Sequence, residues 1–138
     1  MNRLRTSRNI CNEHYFRYSR LNLVVGRHPN LSKNAINTIE SFENKIYISI
    51  ASLWEMSIKI KLNKLELNIQ LNQLKSHLKL KSVEILPIVF DDILINATLE
   101  NHHNDPFDRI IIAQSIHNKF SIITYDKNFK KYGISLIN

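Results

Sequence analysis

Turn-forming residues are scarce in this chain, whose 138 residues include two glycines and three prolines. With so few of either, no internal repeat and no low-complexity tract, it reads neither as disordered nor as fibrous. The one cysteine, Cys11, excludes an internal disulfide and a cysteine-held metal cluster, and reads as an incidental thiol. No run reaches the roughly 18 apolar residues of a membrane span. The first residues lack the apolar stretch of a secretory signal, so a cytoplasmic protein with no membrane partner is expected. The length suits one domain with a sizeable core.

Acidic side chains are outnumbered, 12 against 19 lysines and arginines, for a net charge of +7. The excess is local. Residues 1 to 27 hold six arginines, no lysine and one acid, Glu13, and carry +5. The remaining residues hold twelve lysines, one arginine and eleven acids, which leaves +2. A basic nucleic-acid-binding module resting on charge alone is therefore disfavoured. The abrupt change from arginine to lysine suggests two segments with different histories.

Hydrophobic spacing supplies the element order. Ser32 is positioned to cap a helix ending near Asn44, with Ala35, Ile36 and Ile39 on one face. Ile46 to Ile50 reads as a strand. Ser52 is expected to cap the next helix, with Glu55 in its first turn and Leu53, Met56, Ile60 and Trp54 supplying the buried stripe. A helix over Leu71 to Leu80, a strand over Val83 to Leu86 and a helix over Phe90 to Glu100 come next. Pro106 suits the first turn of a helix running to about Asn118. Ser121 to Thr124 is a strand, Lys127 to Lys131 a short helix and Ile134 to Ile137 a last strand. Alternating strands and helices predict a parallel sheet covered on both faces.

Acids stand at the junctions of these elements. Glu55 follows a strand, Asp105 and Asp108 open a helix, and Asp126 ends a strand, so all can lie beyond the carboxyl ends of a parallel sheet. Carboxylates so gathered repel unless a hard cation such as Mg2+ or Mn2+ neutralises them, and such a metal can activate water against a phosphodiester. Each acid also has a plain structural reading. Glu55 suits a helix surface, Asp105 an N-cap, Asp126 a turn, and the pair Asp91 and Asp92 helix capping. His102, His103 and His117 share no ligand spacing. Lys127, Lys130 and Lys131 form a basic cluster beside Asp126, suited to an RNA backbone or simply to solvent.

Four blocks carry a resemblance: HPNLSKNAI at 28 to 36, ISIASLWEMSIKIKLNKLEL at 48 to 67, LPI at 86 to 88, and HNDPFDRIIIAQSIHNKFSIITYDKNFKKY at 103 to 132. In this order they resemble the PIN-domain family, and within it the VapC-type toxins of bacterial toxin–antitoxin pairs. The resemblance implies a three-layer α/β/α sandwich over residues 28 to 138 and Mg2+-dependent endoribonuclease cleavage of RNA. It also implies a cognate antitoxin and a homodimer. The family's second, third and fourth acids map onto Glu55, Asp108 and Asp126, and Asp105 matches an extra acid of the DPFDR subgroup. All four are expected as metal ligands.

The family's first acid is missing. Members open with a strand ending in LDTH, whereas here no aspartate precedes Asp91. Residues 14 to 27, given A/T-rich codons and read one nucleotide later, become IILDTHVLIWWLE. Residues 1 to 27 are thus expected to be an out-of-frame segment, with frame restored near Arg27 and His28; a diverged extension is the alternative. In the sheet, Tyr15, Phe16 and Tyr18 would replace the first strand, and Arg17 would stand where the first acid belongs, its guanidinium pairing with the remaining carboxylates. Compromised central strand and missing acid together predict weak Mg2+ binding and little cleavage. The alternative is a catalytically dead remnant that binds an antitoxin or dimerises.

Overall fold

The computed structural model describes residues 8–11, 32–67, 69–102, 104–124 and 126–137. In chain order the elements are β1 (Arg8–Cys11), α1 (Lys33–Glu40), β2 (Lys45–Ser49), α2 (Ile50–Lys61), α3 (Leu74–Leu80), β3 (Val83–Leu86), α4 (Phe90–Thr98), α5 (Pro106–Asn118), β4 (Ser121–Ile123) and β5 (Leu136–Ile137). A 3₁₀ turn, Leu71–Gln73, leads into α3, and a 3₁₀ helix, Lys127–Tyr132, joins β4 to β5. The five strands form one sheet in the order β3-β2-β1-β4-β5, and every pairing is parallel.

Side-chain alternation along the strands builds two cores. Ile46 and Ile48 of β2, Val83 of β3 and Ile123 of β4 meet Ala35 and Ile39 of α1, Met56 of α2, and Leu74 and Leu78 of α3. On the other face Tyr47 and Ile122 meet Ile111 and Ile112 of α5, together with Phe120 and Phe129. Helices thus cover both faces, and the α/β/α sandwich expected from the sequence is the observed fold.

Boundaries differ where local hydrogen bonding decides them. Ser32 caps α1 as expected, its Oγ accepting from Ala35 N at 3.1 Å, but the helix stops at Glu40 rather than near Asn44. Ser49, not Ser52, caps α2: its hydroxyl accepts from Ala51 N at 3.1 Å, and Ser52 is buried inside the helix. Glu55 therefore lies in the second turn, not the first. α4 ends at Thr98, and β5 spans Leu136–Ile137 only. The first strand is Arg8–Cys11; Tyr15, Phe16, Arg17 and Tyr18 lie outside the described residues.

α4 and α5 pack antiparallel and are tied at both ends. Near the turn, the Arg109 guanidinium donates to the carbonyls of Glu100 at 2.9 Å, Leu99 at 3.2 Å and Asn96 at 3.4 Å, satisfying orphan acceptors at the end of α4. At the open end His117 Nδ1 donates to Asp92 Oδ1 at 2.7 Å, while Asp92 Oδ2 accepts from Val89 N at 2.9 Å. The expected capping role of Asp92 is thus present, and it is joined to His117, for which spacing had offered no ligand role. α5 ends at Lys119 in the left-handed region (φ 57°), from which Phe120 N donates back to Ser115 O at 3.0 Å and the chain enters β4.

Two stability measurements test this packing. Ile112→Ala empties a fully buried position between sheet and α5, and urea unfolding should show a loss of about 2–5 kcal/mol, whereas Leu80→Ala, 79% exposed, should change stability by less than about 0.5. His117→Ala removes the partner of the buried Asp92 carboxylate and should cost about 1–3 kcal/mol by the same assay.

Candidate functional site

The parallel sheet gathers the ends of β2, β3 and β4 along one edge, and side-chain hydrogen bonds tie the first two of these ends to α5. Ser49 Oγ, at the end of β2, donates to Gln114 Oε1 of α5 at 2.6 Å. Gln114 Nε2 donates in turn to the carbonyls of Pro87 at 3.1 Å and Leu86 at 3.4 Å, at and just past the end of β3. Both Ser49 and Gln114 are fully buried, so the group links two strand ends to one helix in a place where leaving it unpaired is costly. Nothing in the hydrophobic spacing marks Gln114, which sits in the middle of an apolar run.

Above this staple α2 meets α5. The rings of Trp54 and Phe107 pack edge to face, 5.2 Å between centroids at 81°. Each precedes an acid, Glu55 and Asp108. The contact therefore brings the two acid-bearing turns to the same end of the molecule. Asp126 joins them through β4: Thr124, buried at the strand's end, accepts from Asp126 N at 3.0 Å.

Each of three acids already has local work. Asp105 is the N-cap of α5, its Oδ1 accepting from Phe107 N at 2.8 Å and Asp108 N at 3.3 Å, as its position before Pro106 predicts. Asp126 caps the 3₁₀ helix, accepting from Asn128 N at 2.9 Å. Glu55 is buried, and Lys59 Nζ one turn later lies 3.6 Å from its Oε1. Among the described residues, no group of three or more His, Cys, Asp or Glu side chains is arranged to hold a metal ion. Carboxylates of this kind suit a divalent cation by chemical type.

The three lysines sit beside Asp126, where their sequence positions put them. Lys127, Lys130 and Lys131 are exposed on the 3₁₀ helix, which is anchored from beneath by the fully buried Phe129. His103 and Tyr125 lie outside the described residues. Among the described residues, no helix is long and apolar enough to cross a membrane.

The PIN domain family matches residues 21–134. A search of curated protein sequences returns no match. Among solved structures, the crystal structure of VapBC2 from Rickettsia felis bound to a DNA fragment from their promoter superposes with a TM-score of 0.58 and 16% identity, covering 95% of this chain and 98% of that one. At that identity the likeness speaks to the fold. The family match, with the parallel sandwich and the acids along its carboxyl edge, is sufficient: the chain belongs to the PIN domain family.

Proposed function

We propose that this chain descends from a VapC-type endoribonuclease toxin whose metal site is incomplete in the present form. The single observation that carries the reading is the Trp54–Phe107 contact, which brings the turns of Glu55 and Asp108 to one end of the sandwich, where β4 delivers Asp126. Glu55, Asp108 and Asp126 are read as three of the family's four acids, near the carboxyl edge on which parallel α/β sheets receive ligands. In this reading the substrate is RNA, with Lys127, Lys130 and Lys131 facing its phosphates and Asp105 as a further acid. Mg2+ or Mn2+ is the metal of the complete site.

The central strand is Arg8–Cys11, whereas the family match begins at residue 21. The reading of residues 1 to 27 as out-of-frame translation rests instead on the one-nucleotide shift that yields IILDTHVLIWWLE and on the change from arginine to lysine usage. Without the first aspartate, Glu55, Asp108 and Asp126 make an incomplete metal site. The chain then cleaves poorly.

A second reading, that the form still binds an antitoxin, is favoured by an apolar groove of about 290 Å³ lined by Ile50, Leu53, Trp54, Leu71 and Leu74. Trp54 is 62% exposed there and Leu71 43%. The VapBC2 assembly supports a partner of this kind, and a homodimer is compatible with it.

Replacing residues 14 to 27 with IILDTHVLIWWLE should raise Mg2+-dependent cleavage of a labelled RNA by about two orders of magnitude. Asp108→Asn in that variant should abolish the gain. Equal rates for the two chains, or a gain indifferent to Asp108, would overturn the reading. Trp54 is the only tryptophan, so antitoxin binding in the groove should shift its emission to the blue, and Trp54→Ala should weaken binding by about 2 kcal/mol or more.

A further inference from the structure

We propose that the cavity between the α4–α5 loop and the end of the 3₁₀ helix is a stacking subsite for one unpaired RNA nucleotide. The proposal rests on the nuclease reading of the adjacent sheet edge and adds to it a place that holds the strand. The cavity has a volume of about 400 Å³, and its walls include Leu99, Glu100, His102, Lys131 and Tyr132.

Its walls combine the features a nucleotide requires. His102 and Tyr132 stand edge to face, 5.0 Å between centroids at 83°, and both aromatic side chains line the cavity. Such surface stacks any base, because every base has a π-face. Lys131, exposed and adjacent to Tyr132, supplies a cation for the phosphate of the same nucleotide. A base inside a duplex has both faces covered, so only an unpaired one can enter.

The subsite is built in advance. Arg109 holds the carbonyls of Asn96, Leu99 and Glu100, fixing the loop wall, and His102 Nε2 lies 2.7 Å from Glu100 Oε2. Tyr132 packs partly against the core beneath α5, which limits its motion. Gly133, also in the cavity wall, adopts φ +67°, and a Cβ there would meet nothing within 4 Å.

Its position connects it with the acids. The 3₁₀ helix runs from the Asp126 cap to Tyr132, and a rise of about 2 Å per residue places Lys131 roughly 10 Å from Asp126. On the other wall, Arg109 belongs to the first turns of α5 that carry Asp108. A strand whose base is held here passes the carboxylate edge within a few nucleotides.

The test uses the full chain and an unstructured, fluorescein-labelled RNA of about 12 nucleotides, followed by anisotropy in EDTA so that binding is read without cleavage. Tyr132→Leu, which keeps an apolar filler, should raise Kd about 5- to 100-fold, whereas Tyr132→Phe should stay within about twofold. Lys131→Ala should lower the salt slope of log Kd by about 1. A duplex of the same sequence should bind wild type and Tyr132→Leu alike. Unchanged Kd for Tyr132→Leu, with a circular dichroism spectrum and melting curve like wild type, overturns the subsite, and so does absence of single-strand binding by the wild-type chain. Strand binding without cleavage in the LDTH variant would sink the nuclease reading alone; cleavage with an unchanged Tyr132→Leu Kd would sink only the subsite.

Discussion

Both halves of the sheet hang on four residues. β1, Arg8–Cys11, pairs in parallel with β2 on one side and β4 on the other, and β2 and β4 have no pairing with each other. A parallel strand in the middle of a sheet must satisfy donors and acceptors along both edges, so its backbone matters before its side chains do. Arg, Asn, Ile and Cys supply that backbone here. On the neighbouring strands, Ile46 and Ile48 turn to one face of the sheet and Tyr47 and Ile122 to the other.

The same edge that receives ligands in parallel α/β folds is held by polar groups that also terminate helices. Ser49 ends β2, caps α2 and bonds Gln114; Asp105 caps α5; Asp126 caps the 3₁₀ helix. A helix N-terminus needs an acceptor whether or not a metal is present. Capping and catalysis therefore draw on the same residue types at the same places. This is why the plain reading and the functional reading of Asp105 and Asp126 are compatible in one side chain.

The α4–α5 hairpin serves two purposes. Its Arg109 and His117–Asp92 ties fix the hairpin at both ends, and the loop they hold forms one wall of the cavity beside Tyr132. Stability and the proposed RNA contact thus share the same hydrogen bonds. The groove beside Trp54 is lined from α2, α3, Leu71 and Ile85, and shares no lining residue with that cavity.

Periodicity and punctuation made the order of elements legible, because apolar spacing and caps act within a few residues. Pro106 after Asp105 marked the start of α5, and the β-branched runs marked β2, β3 and β4. The family blocks made three acids legible for the same local reason. Which serine caps α2 was not, since Ser49 and Ser52 are both suited to capping and the choice depends on Gln114, distant in sequence. Nor were the His117–Asp92 pair, the Trp54–Phe107 contact or the His102–Tyr132 wall. Those depend on helices meeting across the sheet, a relation that no window along the chain contains. The central strand is the sharpest case: family pattern pointed to the segment around Arg17, while the parallel pairing is made by Arg8–Cys11. The sequence by itself determined the element types, the family and the acids. Only the tertiary structure decided which strand sits in the middle and which polar groups hold the edge, because both are settled by pairing and burial between residues far apart in the chain.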